Sequence, residues 1–289
     1  MANRFIERLR NKTPYIRRLQ REIDDLRHQL AKVEREPVVY ETFGDPSSRI
    51  GDEFRAFLRL LRPHDVPDRH KRRVGAAAGY VMLDDFAQVR QALSLGIGDD
   101  VSWDGDIADR GVRIFQYDHS VRASPQMHEG FSFYRKRVVA AAQGRDEVTL
   151  TQIMDSAALA DDDNIIAKID IEGDEWAVLN STRTEVLARI RQLAVEFHWL
   201  RNFSDASWRA TAVGALRNLT ATHCCIHIHG TNWAPFVVMG GVAFPSVFEA
   251  TFVRRNDHHL VPSTAVFPTE LDRPCNPKKP DFYLGHWNY

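Results

Sequence analysis

Cysteine is scarce: the 289-residue chain has three. Cys224 and Cys225 are adjacent inside an apolar run and Cys275 stands alone. There is thus no disulfide framework of the kind that staples small secreted domains, and all three are expected to be buried hydrophobes. Net charge is nearly absent too. The 38 Lys and Arg against 39 Asp and Glu leave a formal charge of −1, which points away from nucleic acid as a partner. No apolar run reaches the roughly 18–20 residues that a membrane-spanning helix needs. The opening residues, MANRFIERLRNK, lack the apolar core of a secretory leader, so a cytoplasmic location is expected. Internal repeats and low-complexity tracts are missing. What remains, 44% hydrophobic and 27% charged residues, is ordinary for a soluble globular protein.

The most informative stretch is residues 91–120, QALSLGIGDDVSWDGDIADRGVRIFQYDHS. An apolar run ends in Gly96-Ile97-Gly98, a helix-compatible segment follows, and a second apolar run ends in Asp118, twenty residues beyond Gly98. That order is the pattern of a β-α-β nucleotide site. Glycines let the backbone approach a ligand, the new helix offers unpaired N–H groups, and the acid at the second strand's tip accepts ribose hydroxyls. The third glycine of a dinucleotide fingerprint is absent, its place taken by Val101. Asp99 and Asp100 put negative charge where a pyrophosphate would sit. S-adenosylmethionine carries a ribose without phosphate and a positive sulfonium, so the loop suits it better than NAD. An ordinary strand-to-helix turn is the competing reading of the two glycines.

Organisation along the chain reads as three parts: an N-terminal helix over 1–36, a linker and helical lead-in over 37–70, and an α/β domain over 71–289. In the first, Ile16, Leu19, Ile23, Leu26, Leu30 and Val33 fall at alternating steps of three and four. This coiled-coil-like seam would form a homo-oligomer or pack back on the chain's own body. Pro37, Gly44, Asp45 and Pro46 mark residues 37–50 as a linker. An amphipathic helix around GDEFRAFLRLLRP follows, and the basic segment DRHKRRVG reads as a solvated face. Strands are expected at 91–96, 112–118, 131–138, 164–171, 191–197, 223–229 and 246–254, and helices at 101–110, 150–160, 173–181 and 205–219. This alternation predicts a mostly parallel sheet covered on both faces. The proline-rich tail from Pro262 is irregular, but its aromatic residues should pack over the body.

Buried parallel strands are normally apolar throughout, and three of these break the rule at the same end. Asp170 and Glu172 share a phase at the tip of the fourth strand, Glu196 and His198 at the fifth, His227 and His229 at the sixth. The coincidence points to a polar active site at the strand tips, where open α/β sheets bind ligands. Asp170, Glu196 and His198 are the candidate catalytic residues. Methyl transfer requires the acceptor oxygen to be held in line and, for a sugar hydroxyl, its proton removed. A histidine of near-neutral pKa can take that proton. Alternatively Asp170, Glu196 and His198 hold a divalent cation that acidifies the hydroxyl, and this oxygen-rich set suits Mg²⁺ or Mn²⁺. His227 and His229 either add ligands or a base, or only line the pocket. Their spacing, without a nearby cysteine framework, argues against structural zinc.

The blocks GYVMLDDF, SLGIGDDVSWDGDIADRG, FQYDHS, AKIDIEGDEWAVL, EFHWL, HIHGTNW and FPTELDRPCNPKKPDFYLG resemble the FkbM-type S-adenosylmethionine-dependent methyltransferases, over roughly residues 70–285. The resemblance implies a class I methyltransferase, Rossmann-like fold of seven strands, the seventh antiparallel between the fifth and sixth. It also implies O-methylation, often of glycan sugars or natural products. Under it Gly96 and Gly98 face the methionine and ribose portions of the cofactor, Asp118 binds the ribose, and Tyr80 joins the cofactor-binding residues. Asp170 takes the fourth-strand acidic position near the methyl group. KIDIEGDEW also resembles metal-dependent sugar O-methyltransferases, in which acids after strand five bind magnesium; here Glu196 and His198 stand there. Relatives commonly read Asp-Gly-Gly-Tyr where this chain has Ala77-Ala78-Gly79-Tyr80, a change expected to weaken a cofactor contact or alter the substrate mouth. The expected function is methylation of a sugar hydroxyl on a glycan, polysaccharide or glycoconjugate precursor. The alternatives are an NAD(P)-dependent oxidoreductase on a Rossmann-like domain and a catalytically inactive dimeric scaffold.

Overall fold

The computed structural model describes residues 39–44, 49–76, 79–156, 158–159 and 161–289. The heptad seam of the N-terminal segment and the Ala77-Ala78 pair lie outside the described residues. Seven strands make the central sheet: β1 Gln91–Leu95, β2 Arg113–Tyr117, β3 Phe131–Tyr134, β4 Ile165–Ile169, β5 Ile190–Phe197, β6 His223–Gly230 and β7 Phe248–Arg254. Their order is β6-β7-β5-β4-β1-β2-β3. All pairings are parallel except those of β7, which runs antiparallel to both β5 and β6. This is the seven-stranded arrangement, with its reversed strand, that the resemblance implies. All seven strands fall where alternation of apolar runs places them.

The central strands form because their residues are apolar on both sides. β4, IIAKI, is buried at every position, as a strand covered on both faces must be. Its one charge, Lys168, is offset by Asp104, buried on helix Ser102–Ala108, whose carboxylate accepts from Ser94 Oγ at 3.1 Å and Gln116 Nε2 at 2.8 Å. On one face of the sheet the helices α1 Arg49–Arg59, α4 Glu175–Ser181 and α6 Ala206–Thr222 bring Phe54, Phe57, Trp176, Leu179 and Leu216 into the main core. The helices α2 Ser102–Ala108, α3 Leu150–Met154 and α5 Thr184–Leu187 complete the set among the described residues. On the other face Trp103 and Ile107 of α2 pack with Val74, Tyr80 and Met82. The strand order reverses between β1 and β4, and this is the position at which an open sheet leaves a crevice.

Three segments depart from the sequence reading. Residues 37–50 are more than a linker: Tyr40–Phe43 is a strand, paired in parallel with Phe236–Met239, which itself hairpins to Val242–Pro245. A four-residue strand whose partner is so remote in sequence leaves no local signal. The hairpin does, since Gly240-Gly241, both at positive φ, is a recognised two-residue turn. The basic segment is also not a free face. Lys71–Val74 pairs antiparallel with Tyr80–Leu83, and Lys71 Nζ donates to Asp65 at 2.8 Å and to the Ile226 carbonyl at 2.7 Å. Finally, α3 ends at Met154 rather than 160. Beyond it the chain wraps the Arg189 guanidinium, which donates to the carbonyls of Met154, Leu159 and Asp162. The tail packs as expected, with Phe267 and Phe282 buried and Val266–Phe267 paired to Gly285–His286.

Candidate functional site

The carboxyl ends of β1, β2 and β4 meet at a cavity of about 90 Å³ whose lining includes Gly96, Asp118, Ser120, Arg137, Asp170 and Glu172. A larger groove of about 470 Å³ runs between α1 and α6, but the convergent polar groups are at the strand tips. The two glycines of the first loop do different work. A Cβ on Gly96 would lie 1.6 Å from the Asp170 carbonyl oxygen, so this glycine, at φ 78°, exists to let β1 and β4 close on each other. Its backbone also lines the cavity, so close strand packing and ligand approach meet at one residue. Gly98, at φ 49°, has nothing within 4 Å of its missing Cβ and leaves open space above the loop.

Asp118 is placed where the sequence puts it, and its carboxylate is fully engaged. Oδ2 accepts from the backbone N–H of Ile97 at 2.9 Å and of Gly98 at 3.0 Å. Oδ1 accepts from the Ser120 N–H at 2.7 Å and the Ser120 hydroxyl at 2.6 Å. Burial alone would raise its pKa; these donors outweigh it and hold the carboxyl below the ordinary carboxylate value. A ribose diol reaches Asp118 only by replacing a donor, and of the four only the Ser120 hydroxyl can rotate away. Across the same cavity Arg137 makes a two-pronged ion pair with Asp174, at 2.9 Å and 2.7 Å. Tyr80 is buried and does not line this cavity. It lies within electrostatic reach of Asp170 and Glu196, and burial first and then those acids push its phenol well above the usual range, so it stays a neutral donor.

Beside the cavity the structure gathers Asp170, Glu196 and His198, whose ligand atoms all lie within 4.8 Å of one another. His198 Nε2 is 3.8 Å from Asp170, 3.6 Å from Glu172 and 3.8 Å from Glu196. These spacings are too long for hydrogen bonds and suit donors grouped about one cation. The opposite nitrogen, Nδ1, sits 3.3 Å from Glu175, a fully buried acid in the first turn of α4 that also accepts from the His198 N–H at 2.6 Å and the Gly173 N–H at 2.8 Å. Burial by itself would lower the imidazole's pKa; the bond and charge of Glu175, with Glu196 and Asp170 beside it, raise it to about 9. Burial first and then Asp170 push Glu196 up to about 8. The histidine expected from sequence as a near-neutral base thus sits among acids that favour its protonated form.

The backbone around this cluster is unusual. Glu172 and Trp199 adopt the left-handed region, at φ 55° and 63°, which costs a side-chain-bearing residue about 1–2 kcal/mol. Trp199 Nε1 donates to the Glu172 carbonyl at 3.0 Å, and a Cβ on Gly173 would meet the Trp199 ring at 2.5 Å. Two strained residues tied together at the tips of β4 and β5 are the kind of feature that accompanies function.

His227 and His229 are not in the first cluster. His227 Nε2 pairs with Asp272 at 2.8 Å and is buried against Phe267. His229 Nε2 pairs with Asp281 at 3.0 Å, while Nδ1 faces Glu249 at 3.3 Å. Cys275, expected to be a buried hydrophobe, lies half-buried with Sγ 3.8 Å from Glu249. Sequence reasoning missed Glu175, Glu249 and the tail acids. Glu249 was detectable: it is an acid inside the apolar run FEATFVR, directly across from Glu196 in the β5–β7 register. The tail residues reach the site only through tertiary folding.

No protein-family model matches the chain, and no curated protein does either. Among solved structures, the chain is similar to 23S rRNA methyltransferase ErmE at 13% identity and a TM-score of 0.33, over 59% of this chain and 65% of that one. The match therefore spans less than two thirds of ErmE. It is also similar to a mutant of the 16S rRNA (adenine(1408)-N(1))-methyltransferase from Catenulisporales acidiphilia at 12% identity and a TM-score of 0.30, over 64% and 97% of the two chains. A third likeness is to magnesium protoporphyrin IX methyltransferase ChlM from Synechocystis PCC 6803, with bound SAM, at 13% identity and a TM-score of 0.22, over 57% and 70%. At this distance the likenesses carry no functional argument. Among the described residues no helix is long and apolar enough to cross a membrane.

Proposed function

We propose that the chain is an S-adenosylmethionine-dependent O-methyltransferase acting on a sugar hydroxyl. The observation that carries this reading is the convergence of Asp170, Glu196 and His198 within 4.8 Å of one another beside a cavity lined by Gly96, Asp118 and Asp170. Four acids, Asp118, Asp170, Glu172 and Asp174, outnumber Lys136 and Arg137 in the lining, a balance that suits a cationic, phosphate-free nucleoside over a pyrophosphate. Open space at Gly98 and the carboxylates of Asp118 and Asp170 would hold that group. At about 90 Å³ the cavity is below the ~300 Å³ of a small-molecule pocket, so binding requires it to widen, and the Arg137–Asp174 pair in its lining is the contact whose parting would do so. When bound, S-adenosylmethionine supplies an electrophilic methyl group.

The chain's own residues then have two tasks. Asp170 and Glu196 orient the acceptor hydroxyl, and one of the two carboxylates receives its proton. Glu196, raised to about 8, serves as base in the fraction that is ionised, a fraction that grows as pH rises toward and past that value. Glu175 fixes the ring of His198 and sets which nitrogen faces the acids, a positioning role. The same three groups fit a divalent cation: two carboxylates and one imidazole converge, with a buried acid on the imidazole's far nitrogen as in many metal sites. Asp170, Glu196 and His198 would hold Mg²⁺ or Mn²⁺, which when bound lowers the hydroxyl's pKa.

The test is release of S-adenosylhomocysteine from S-adenosylmethionine against a panel of free, nucleotide-linked and lipid-linked sugars, with and without chelator. The reading expects turnover with at least one sugar acceptor and its loss in His198→Ala and Glu196→Gln. Turnover that survives both substitutions removes the proposed site, and activity indifferent to chelator removes the cation.

A further inference from the structure

We propose that His229, Glu249 and Cys275 form a second metal site, built for a thiophilic divalent cation of the zinc type, that fastens the C-terminal segment onto the sheet. The proposal is independent of the methyl-transfer reading. Three elements supply the donors: His229 from β6, Glu249 from its antiparallel neighbour β7, and Cys275 from the tail. Their ligand atoms lie within 4.8 Å of one another. Glu249 Oε2 is 3.3 Å from His229 Nδ1, and Glu249 Oε1 is 3.8 Å from Cys275 Sγ. Tetrahedral zinc, with bonds of about 2.0–2.3 Å, holds such donors roughly 3.3–3.6 Å apart, so only a small inward adjustment of the sulfur is needed.

The imidazole is already set for coordination. Its Nε2 faces Asp281 at 3.0 Å and 3.1 Å, one contact to each carboxylate oxygen. A carboxylate there keeps a proton on Nε2, so Nδ1 is the nitrogen a metal takes once it displaces the proton shared with Glu249. Nitrogen, sulfur and a single carboxylate select zinc-type ions, in contrast to the oxygen-rich Asp170, Glu196 and His198 set. Binding releases two protons to solvent, one from the Cys275 thiol and one from His229 Nδ1, where it bridges to Glu249; Sγ, Nδ1 and a Glu249 oxygen become the ligands, with water able to take the fourth position. Cys275 is only half-buried, which provides an entry path. The spacing of 20 and 26 residues between successive donors matches no zinc motif, and the fold brings in the cysteine that the HIH sequence lacks. Since Cys275 and Asp281 both belong to the tail, the metal would clamp that segment over β6 and β7.

The experiment titrates separate samples of the reduced, metal-free full chain with Zn²⁺ and with Co²⁺. The expected result is one equivalent bound through Cys275, marked by a thiolate-to-cobalt charge-transfer band and distinct from any cation taken by the sulfur-free first cluster. That band and that equivalent are lost in Cys275→Ser and His229→Gln but kept in Asp170→Asn, because the first cluster contains no sulfur. Zn²⁺ should also raise the unfolding temperature of the parent chain and not that of Cys275→Ser. Absence of the band in the parent chain overturns the proposal whatever the variants do, and so does a band that persists in Cys275→Ser.

Discussion

Substituting Ser120 and Asp118 separately distinguishes a carboxylate that only staples its own loop from one that also receives a ribose. Asp118 accepts four hydrogen bonds, two from the glycine loop and two from Ser120. Asp118→Ala leaves the Ile97 and Gly98 N–H groups without a partner, at about 1–3 kcal/mol for each that stays buried. The chain should therefore lose roughly 2–6 kcal/mol of stability and bind S-adenosylhomocysteine at least tenfold more weakly, about 1.4 kcal/mol. Ser120→Ala removes only the 2.6 Å hydroxyl contact and frees one acceptor position on the carboxylate. Stability should fall by no more than about 1.5–3 kcal/mol, the worth of a hydrogen bond to a charged group. Cofactor affinity, however, should hold or improve, because the ligand no longer displaces the hydroxyl. Urea unfolding and calorimetric titration with S-adenosylhomocysteine measure the two quantities independently. If Ser120→Ala weakens binding as much as Asp118→Ala, or if Asp118→Ala leaves affinity intact, the assignment of Asp118 to the ribose is refuted.

Two further outcomes are expected. His223 is fully buried, with Nε2 2.7 Å from the Ile190 carbonyl, and burial lowers its pKa from 6.5 to about 4. The unfolded chain takes up this proton near pH 6.5 and the folded chain resists until about 4, so stability should decline as pH falls across that window. The contribution is up to about 3 kcal/mol, and denaturant unfolding at pH 7 and pH 4.5 should show a flatter response in His223→Gln; equal slopes in both proteins would contradict it. Separately, Asp174→Asn should speed both association and release of S-adenosylhomocysteine in stopped-flow traces by weakening the Arg137 latch; unchanged rates would show that the pair does not gate the cavity.

The sheet was readable in the sequence because each of its strands is an apolar run with turn residues at its ends. β4 and β5 also advertise their tips, since Asp170, Glu196 and His198 interrupt runs that packing alone would keep apolar. Glu249 obeys the same rule and could have been found by it. Other features needed the third dimension. Gly96 lines the cavity, but its second role, letting the Asp170 carbonyl come within 1.6 Å of where a Cβ would stand, is visible only in the fold. The proton affinity of His198 depends on Glu175, which in sequence is only an acid opening a helix. The Cys275 thiol meets His229 through a tail with little regular structure, where neither period nor spacing carries information.

The most direct test of the methyl-transfer account is a co-crystal structure with S-adenosylhomocysteine. The account places its ribose against Asp118 and Gly98 and its sulfur beside Asp170, with Glu196 and His198 facing the acceptor side. Density for the ligand anywhere other than the carboxyl ends of β1, β2 and β4, or no density at a saturating concentration, would contradict it.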